Sequence, residues 1–319
     1  MQCKRLLPRN DTGRPAPPIA AGRNLLHLRA YFFLIIATLC WGGNAVVGKL
    51  AVGHVSPMML TMWRWIFACA IIFAVSLPQV RRDWPVAKKH LPVLIFLGAV
   101  GYTLFNVLLY SAVHYTTAIN VTIEQAGIPF LIFLANLLLF RIRISAAQVL
   151  GFSLTLVGVA LTASHGDLRT LLSLSVNFGD GLMLIAVLAY AAYTIALRWR
   201  PPIDWRTLMA IPSLVALLCT LPLVVWEMQS GAAVWPDAAG WGAALYTAIF
   251  ASLIAQVLYI QGIVHIGANR AGLFINLIPV FGTLLSVLII GEQLYAFNII
   301  ALVLALGGIA IAERWKPAA

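Results

Sequence analysis

Apolar runs of about 20 residues recur along the whole chain, separated by short polar connections. Ten are distinguishable, at roughly 31–51, 57–77, 91–113, 118–139, 145–164, 178–197, 207–226, 240–264, 269–290 and 295–312. At 1.5 Å rise per residue, such runs match the hydrocarbon core of a bilayer, about 30 Å thick. The connections leave no room for a soluble domain. The pattern predicts an all-α integral membrane protein with ten transmembrane helices. Residues 1–23 are rich in Pro, Arg and Asn and carry no apolar core. Residues 1–30 are therefore expected to be a disordered cytoplasmic tail. They do not read as a cleaved signal, because the first apolar run continues as a full span.

Composition agrees with a bilayer protein: of 319 residues, 62% are hydrophobic and 10% charged. The net charge of +11 raises the question of nucleic acid, but its distribution answers it. Lys4, Arg5, Arg9, Arg14, Arg23 and Arg29 precede the first span, and Arg81, Arg82, Lys88 and Lys89 share one connection. Arg141, Arg143, Arg198, Arg200, Arg206, Arg270, Arg314 and Lys316 fill the alternate connections. With ten spans, all of these fall on one side, so basic charge sets topology and places both termini in the cytoplasm of a cell (inner) membrane. Cys3, Cys40, Cys69 and Cys219 lack metal-site or disulfide spacing, and the six His show no ligand spacing. Neither a metal nor a cofactor is expected, and no catalytic Ser/His/Asp or paired-carboxylate set appears. Gly43 to Lys49 has the spacing of a phosphate-binding loop but no following Ser or Thr, and it lies in a span. Gly42, Gly43 and Gly48 read instead as close-packing positions.

The chain repeats itself. Shifted by 150 residues, 118–161 aligns with 268–311 without a gap, with ten of 44 positions identical. Pro129 with Pro279 and Gly158 with Gly308 carry most weight, because both residue types are chosen for backbone reasons. Asn106 and Gln256 match in character at the same offset. The predicted repeats are five helices each, 31–164 and 178–312. An odd number forces the second copy to enter the membrane from the opposite side. Inverted repeats of this kind suit a transporter with its substrate held at the repeat interface.

The stretches "WGGNAVVGKLA", "SPMMLTMWRWIFA", "FNVLLYSAVHYTTAINVTI", "IPFLIFLANLLLF" and "NLIPVFGTLLSVLIIGEQLYAFNIIALVLALGGIAI" resemble the EamA repeats of the drug/metabolite transporter superfamily, over nearly the whole chain after residue 30. The resemblance implies a ten-helix secondary transporter, many relatives being bacterial exporters of amino acids and similar metabolites. One departure stands out. The acidic residue closing the pattern's fourth helix is present in the second repeat as Glu292, whereas the first repeat reads Arg141-Ile142.

Four polar side chains on consecutive helices fall about 9–10 Å below the expected outer surface: Asn44, Arg64, Asn106 and Glu124. Charge at that depth is costly unless paired or wetted. Two readings stay open. Arg64 and Glu124 form a buried ion pair that ties two helices together; or the layer lines a substrate path, with Arg64 on a carboxylate and Glu124 on an ammonium or a proton. In the second repeat Glu124 corresponds to Phe274, and Asn276 and Gln256 supply a neutral polar layer. Trp41, Tyr190 and Tyr193 are candidate stacking residues, whereas Trp63 and Trp65 read as an interfacial belt. Pro129 and Pro279 fall mid-span and are candidate hinges. Export of amino acids or related metabolites by alternating access is the leading expectation. Uptake, a larger solute such as a nucleotide sugar, lipid or drug, and a polytopic membrane enzyme are the alternatives. The expected partners are a small-molecule substrate and the lipid bilayer.

Overall fold

The computed structural model describes residues 19–140, 145–167, 177–266, 271 and 274–314. Among these, all regular structure is helical. In hydrocarbon, backbone groups must be satisfied within the chain, and helices do this locally. The helices are α1 (Ile19–Leu50), α2 (Pro57–Ala87), α3 (Leu91–Phe96), α4 (Phe105–Ala112), α5 (Ala118–Glu124), α6 (Gly127–Phe140) and α7 (Ala146–Ala163). Then come α8 (Phe178–Ala196), α9 (Trp205–Gln229), α10 (Ala238–Tyr246), α11 (Ala255–Ile266), α12 (Ile278–Leu285) and α13 (Ala296–Arg314). Wider π-helical segments join α3 to α4 (Leu97–Leu104) and α10 to α11 (Thr247–Ile254), and a third (Ser286–Ile290) extends α12. The first two begin and end 150 residues apart.

Seven helical stretches among the described residues are long and apolar enough to cross a membrane, and two shorter apolar helices follow, Ile278–Ile290 and Ala296–Ile311. This is a multi-pass membrane protein. Large apolar side chains such as Leu138, Val264, Leu288 and Val303 stay exposed around the outside, as lipid-facing positions should.

Three expectations need correction. The spans expected at 57–77 and 91–113 are not separated by a loop but run as one helical stretch, Pro57–Ala112. As a straight rod it would be about 84 Å long. It doubles back instead, because α4 packs against α2. The turn is confined to a 3₁₀ segment, Lys88–His90, where His90 leaves helical geometry (φ −118°, ψ 20°) and Pro92 restarts the helix. Arg, Gln, Lys and Ala favour helix, so the basic stretch propagates one instead of forming a loop. Second, α1 begins at Ile19, so residues 19–30 of the expected tail are helical; residues 1–18 lie outside the described residues. Third, the span expected at 269–290 is broken by a turn at 276–277 and continues as Ile278–Ile290, residues 267–270 and 272–273 lying outside the described set.

Helix ends are closed by carboxylates from the other half of the chain. Glu227, in the last turn of α9, accepts from Ser56 Oγ (2.7 Å), Met59 N (3.2 Å) and Met58 N (3.3 Å) at the start of α2. Asp83, in the last turns of α2, accepts from Thr207 Oγ1 (2.7 Å) and Asp204 N (3.0 Å) at the start of α9. The two helices are thus antiparallel and cap each other. Glu292 likewise accepts from Ala118 N (2.8 Å) and Ile119 N (3.0 Å), capping α5. It is aimed there by Gly291, whose φ of +74° suits a residue without Cβ. Asp237, in the connection before α10, accepts from Gly240 N (3.0 Å) and from His54 Nδ1 (2.7 Å). Those bonds, the Gly240 amide foremost, hold its carboxyl below the ordinary carboxylate range.

Helices α7 and α13 pack with their backbones almost touching. A Cβ on Gly158 would lie 2.7 Å from Ala301 O, and one on Gly308 would strike Gly151 O and come within 2.7 Å of Thr155 Oγ1. Exchanging each residue for the one 150 positions away turns the first contact into the second. Thr155 Oγ1 donates to Ala305 O (3.3 Å), its own counterpart at that offset. Gly307, one residue away, has open space around it. Gly308→Val is accordingly expected to destabilise by about 2 kcal/mol, within the range for overpacking, and Gly307→Ala to be neutral or stabilising by up to about 1 kcal/mol. Thermal unfolding of the two variants in detergent checks this. Equal midpoints would show that the close contact does not hold the halves together.

Candidate functional site

Between the two halves lies a cavity of about 580 Å³. Its walls draw on both π segments, because a π turn shifts the side-chain register that a regular helix would present. The first contributes Gly101 and Tyr102, and the second Ala251, Ser252 and Leu253. The broken spans contribute as well. The expected span 118–139 is interrupted at Gln125–Ala126, where Ala126 N turns back to Ile123 O (2.9 Å). A matching turn at Leu277, whose N–H bonds Phe274 O (2.9 Å), precedes α12. Gln125, Ala126 and Asn276 at these breaks all face the cavity.

Arg64 is the one charged residue among the described cavity-lining residues. It sits on α2, whose other face is fixed in the main apolar core by Met59, Leu60 and Met62. Its Nη1 donates to Asn106 Oδ1 (2.6 Å), Tyr110 OH (2.6 Å) and Asn44 Oδ1 (3.2 Å), and its Nε donates to Ser252 Oγ (2.8 Å). Tyr110 OH also donates to Asn44 Oδ1 (2.9 Å), closing the ring of contacts. Every one of these partners is neutral. Nη2 makes no hydrogen bond among the described residues, although Arg64 is 94% buried by residue surface. The guanidinium fork is thus left with Nη2 to donate to a further acceptor, such as a carboxylate or phosphate oxygen.

An aromatic wall flanks this fork. The Arg64 guanidinium carbon lies 5.1 Å from the Trp65 ring centroid, and Trp65 stacks on Tyr102 (4.9 Å, 4°). Tyr102 meets Tyr193 (5.8 Å), Tyr193 meets Tyr190 (5.3 Å) and Tyr190 meets Phe105 (4.8 Å). Opposite, Trp41 packs on Tyr259 (5.2 Å) and is locked by its Nε1–H to Ala251 O (3.0 Å).

Of the residues singled out from sequence, Trp41, Asn44, Arg64, Asn106, Tyr190, Tyr193, Gln256 and Asn276 all line the cavity. Glu124 does not. It is fully buried at the end of α5, off the cavity wall, and neither carboxylate oxygen has a hydrogen-bond partner among the described residues. The expected Arg64–Glu124 ion pair is absent among the described residues, Arg64 being satisfied by amide and hydroxyl oxygens. Helical depth places residues in a layer but not around an axis, and Glu124 points away from the interior that Gln125 faces. Pro129 and Pro279 line the cavity, yet they do not interrupt a continuous helix. Each occupies the first turn of the segment after a break, where the missing N–H would have had no partner in any case. Trp65 belongs to the cavity and not to an interfacial belt.

Tyr110, Ser252, Tyr102 and Gln125 were not anticipated. Tyr110 could have been found, since it follows Asn106 by four residues on one helix face. Ser252 reaches Arg64 only through the π segment and leaves no periodic trace in the sequence.

The EamA-like transporter family profile matches this chain twice, at residues 28–164 and 177–313. Similar proteins include the uncharacterized transporter YyaM of Bacillus subtilis (strain 168), 25% identical over 296 residues, covering 90% of this chain and 94% of that one. YetK of the same organism, also an uncharacterized transporter, is 27% identical over 282 residues, covering 88% and 85%. A solved crystal structure shares the fold at a TM-score of 0.60 with 21% identity, over 91% of this chain and 97% of that one.

Cysteine labelling tests the cavity wall. In a background lacking the four native cysteines, Gln125→Cys and Asn276→Cys are expected to react with a hydrophilic maleimide many times faster than Glu124→Cys. Labelling of Glu124→Cys at the Gln125→Cys rate would put that position on the wall.

Proposed function

We propose that this chain, which belongs to the EamA-like transporter family, is a secondary active exporter of amino acids or related small metabolites working by alternating access in a cell membrane. The observation that carries the reading is the cavity between the halves, with Nη2 of Arg64 unengaged among the described residues and an aromatic wall beside it. A solute carboxylate docks on Nη2 of Arg64. With no carboxylate among the described lining residues, an ammonium group is met by the amide oxygens of Gln256 and Asn276 and by the aromatic faces of Trp41, Tyr190 and Tyr193. A volume of about 580 Å³ is in the range of small-metabolite sites, and a single cation suits one acidic group better than the diphosphate of a nucleotide sugar.

Alternating access follows from the symmetry. The reciprocal caps of α2 and α9, the exchanged contacts of α7 and α13, and the π segments 150 residues apart all support two inverted five-helix repeats, 31–164 and 178–312, in a ten-helix fold. Relative motion of two such halves is the usual route to alternate opening. The cavity reaches Gln148 and Leu197 at one end of the bundle. The other end is filled by apolar packing of Val46, Met59, Leu109, Val121 and Met183. With both termini cytoplasmic, this is the inward-open state, and Pro129 and Pro279 sit where the broken helices would bend on closure.

Proteoliposomes loaded with a mixed amino-acid pool test the reading. The parent is expected to release selected amino acids. Arg64→Lys, a point charge without the planar fork, is expected to slow release about tenfold or more, given about 1.5–3 kcal/mol for hydrogen bonds to a charged group. Release of no amino acid, or equal release by the variant, would sink the carboxylate assignment.

A further inference from the structure

The most costly group in the molecule is one the cavity does not use. Glu124 is fully buried, and both its oxygens lack hydrogen-bond partners among the described residues. A second fully buried acid, Asp180, is joined to the same helix by Asn120, four residues before Glu124. An ionised Glu124 would be a bare charge in an apolar site beside a second carboxylate.

Asp180 is in turn wired to the surface. Its Oδ1 accepts from Thr116 Oγ1 and from Asn120 Nδ2 (3.4 Å), and its Oδ2 lies 2.8 Å from His165 Nε2. The His165 side chain is 45% exposed, in the turn after α7. Asn120 is held by Asn298 Nδ2 (3.1 Å) and lies one helical turn before Glu124. A polar thread therefore runs from the surface as far as Asn120, one helical turn short of the buried acid, on the side of the bundle opposite the cavity opening. At its inner end, Glu124 adjoins the break at Gln125–Ala126, and Gln125 is on the cavity wall.

We infer that Glu124 is a proton-binding site, loaded from the outer membrane face through His165 and Asp180 and emptied toward the cavity. As the coupling device of the transporter, it rests on the reading above. Each transfer balances. His165 takes a proton from outer water and passes one from Nε2 to Asp180 Oδ2. Asp180 passes it to Glu124, and Glu124 releases it to cavity water, leaving all three groups as they began.

The other charged groups around α5 are committed elsewhere. Lys49, on α1, donates to Val113 O (2.7 Å) and Thr116 O (2.8 Å), and Glu292 caps α5 itself. His114 precedes α5, on the turn near Lys49. Helices α7 and α12 carry no ionisable side chain, and on α13 such residues occur only at the far end. Arg64 is engaged across the cavity.

Infrared difference spectroscopy of the full-length protein in lipid reads the site without any solute. The parent is expected to show a protonated carboxylic-acid C=O band at neutral pH that Glu124→Gln removes. In proteoliposomes of uniform orientation, a pH jump on the His165 side is expected to move that band, and His165→Ala to slow the response about a hundredfold, the low end for a positioned proton-transfer group. The inference is overturned by a parent without the band, by a band that persists in Glu124→Gln, by bleaching with sodium at fixed pH, or by a His165→Ala response as fast as the parent's. A protein that shows the band and its His165 dependence but moves no amino acid would keep the proton site and overturn the transport reading instead.

Discussion

A guanidinium cannot be left bare in the middle of a membrane, and the arrangement around Arg64 is best understood as the answer to that constraint. No carboxylate among the described residues neutralises it. Asn44, Asn106, Tyr110 and Ser252 bring oxygen dipoles from α1, α4 and a π segment, so that four parts of both halves converge on one side chain. Solvation by neutral dipoles differs from pairing in its consequence. An ion pair would cancel the charge, whereas dipoles spread it and leave the field available to an arriving anion. The aromatic stack of Trp65 and Tyr102 then seals one flank without adding a competing acceptor.

The same economy appears at the helix ends. Helices end in unsatisfied N–H and C=O groups, and here the starts of α2, α5 and α9 are closed by Glu227, Glu292 and Asp83 from the opposite half of the chain. Each carboxylate also complements the positive end of a helix dipole. The carboxylates that the sequence holds so sparingly therefore do two kinds of work. Some fasten the halves to each other at the membrane surfaces, and two, Asp180 and Glu124, lie inside, Glu124 with no hydrogen-bond partner among the described residues. Glu292 belongs to the first kind. The stretch 141–144, where the first repeat departs from it, lies outside the described residues.

Much of this was legible before any coordinates. Hydrophobic run length located the spans, and Pro129, Pro279, Gly158 and Gly308 located the repeat, because each residue type answers to backbone geometry that both copies share. The depth of Arg64, Asn44 and Asn106 followed from counting residues at a fixed rise. What depth cannot supply is rotation about the helix axis, and Glu124 was misassigned to the cavity wall for that reason. Nor can periodicity reveal a π segment, which breaks the period on which the reading depends; Ser252 and Tyr102 were lost there. The basic stretch from Arg81 to Lys89 was read as a loop because charge marks a membrane surface, yet charge does not oppose helix, and the chain turns in three residues.

The exchange of caps also bears on how the polypeptide is made. Insertion proceeds from the N-terminus, so α2 and α5 enter the membrane before Glu227 and Glu292 have left the ribosome. Until then their exposed amides can be served only by water and lipid headgroups, and the first half of the chain remains an unfinished assembly. Completion arrives late and all at once. A ribosome that stalls beyond Ser164 would release a half-protein with open helix starts and a bare Gly158 seam, a distinctive substrate for the quality-control proteases of the membrane.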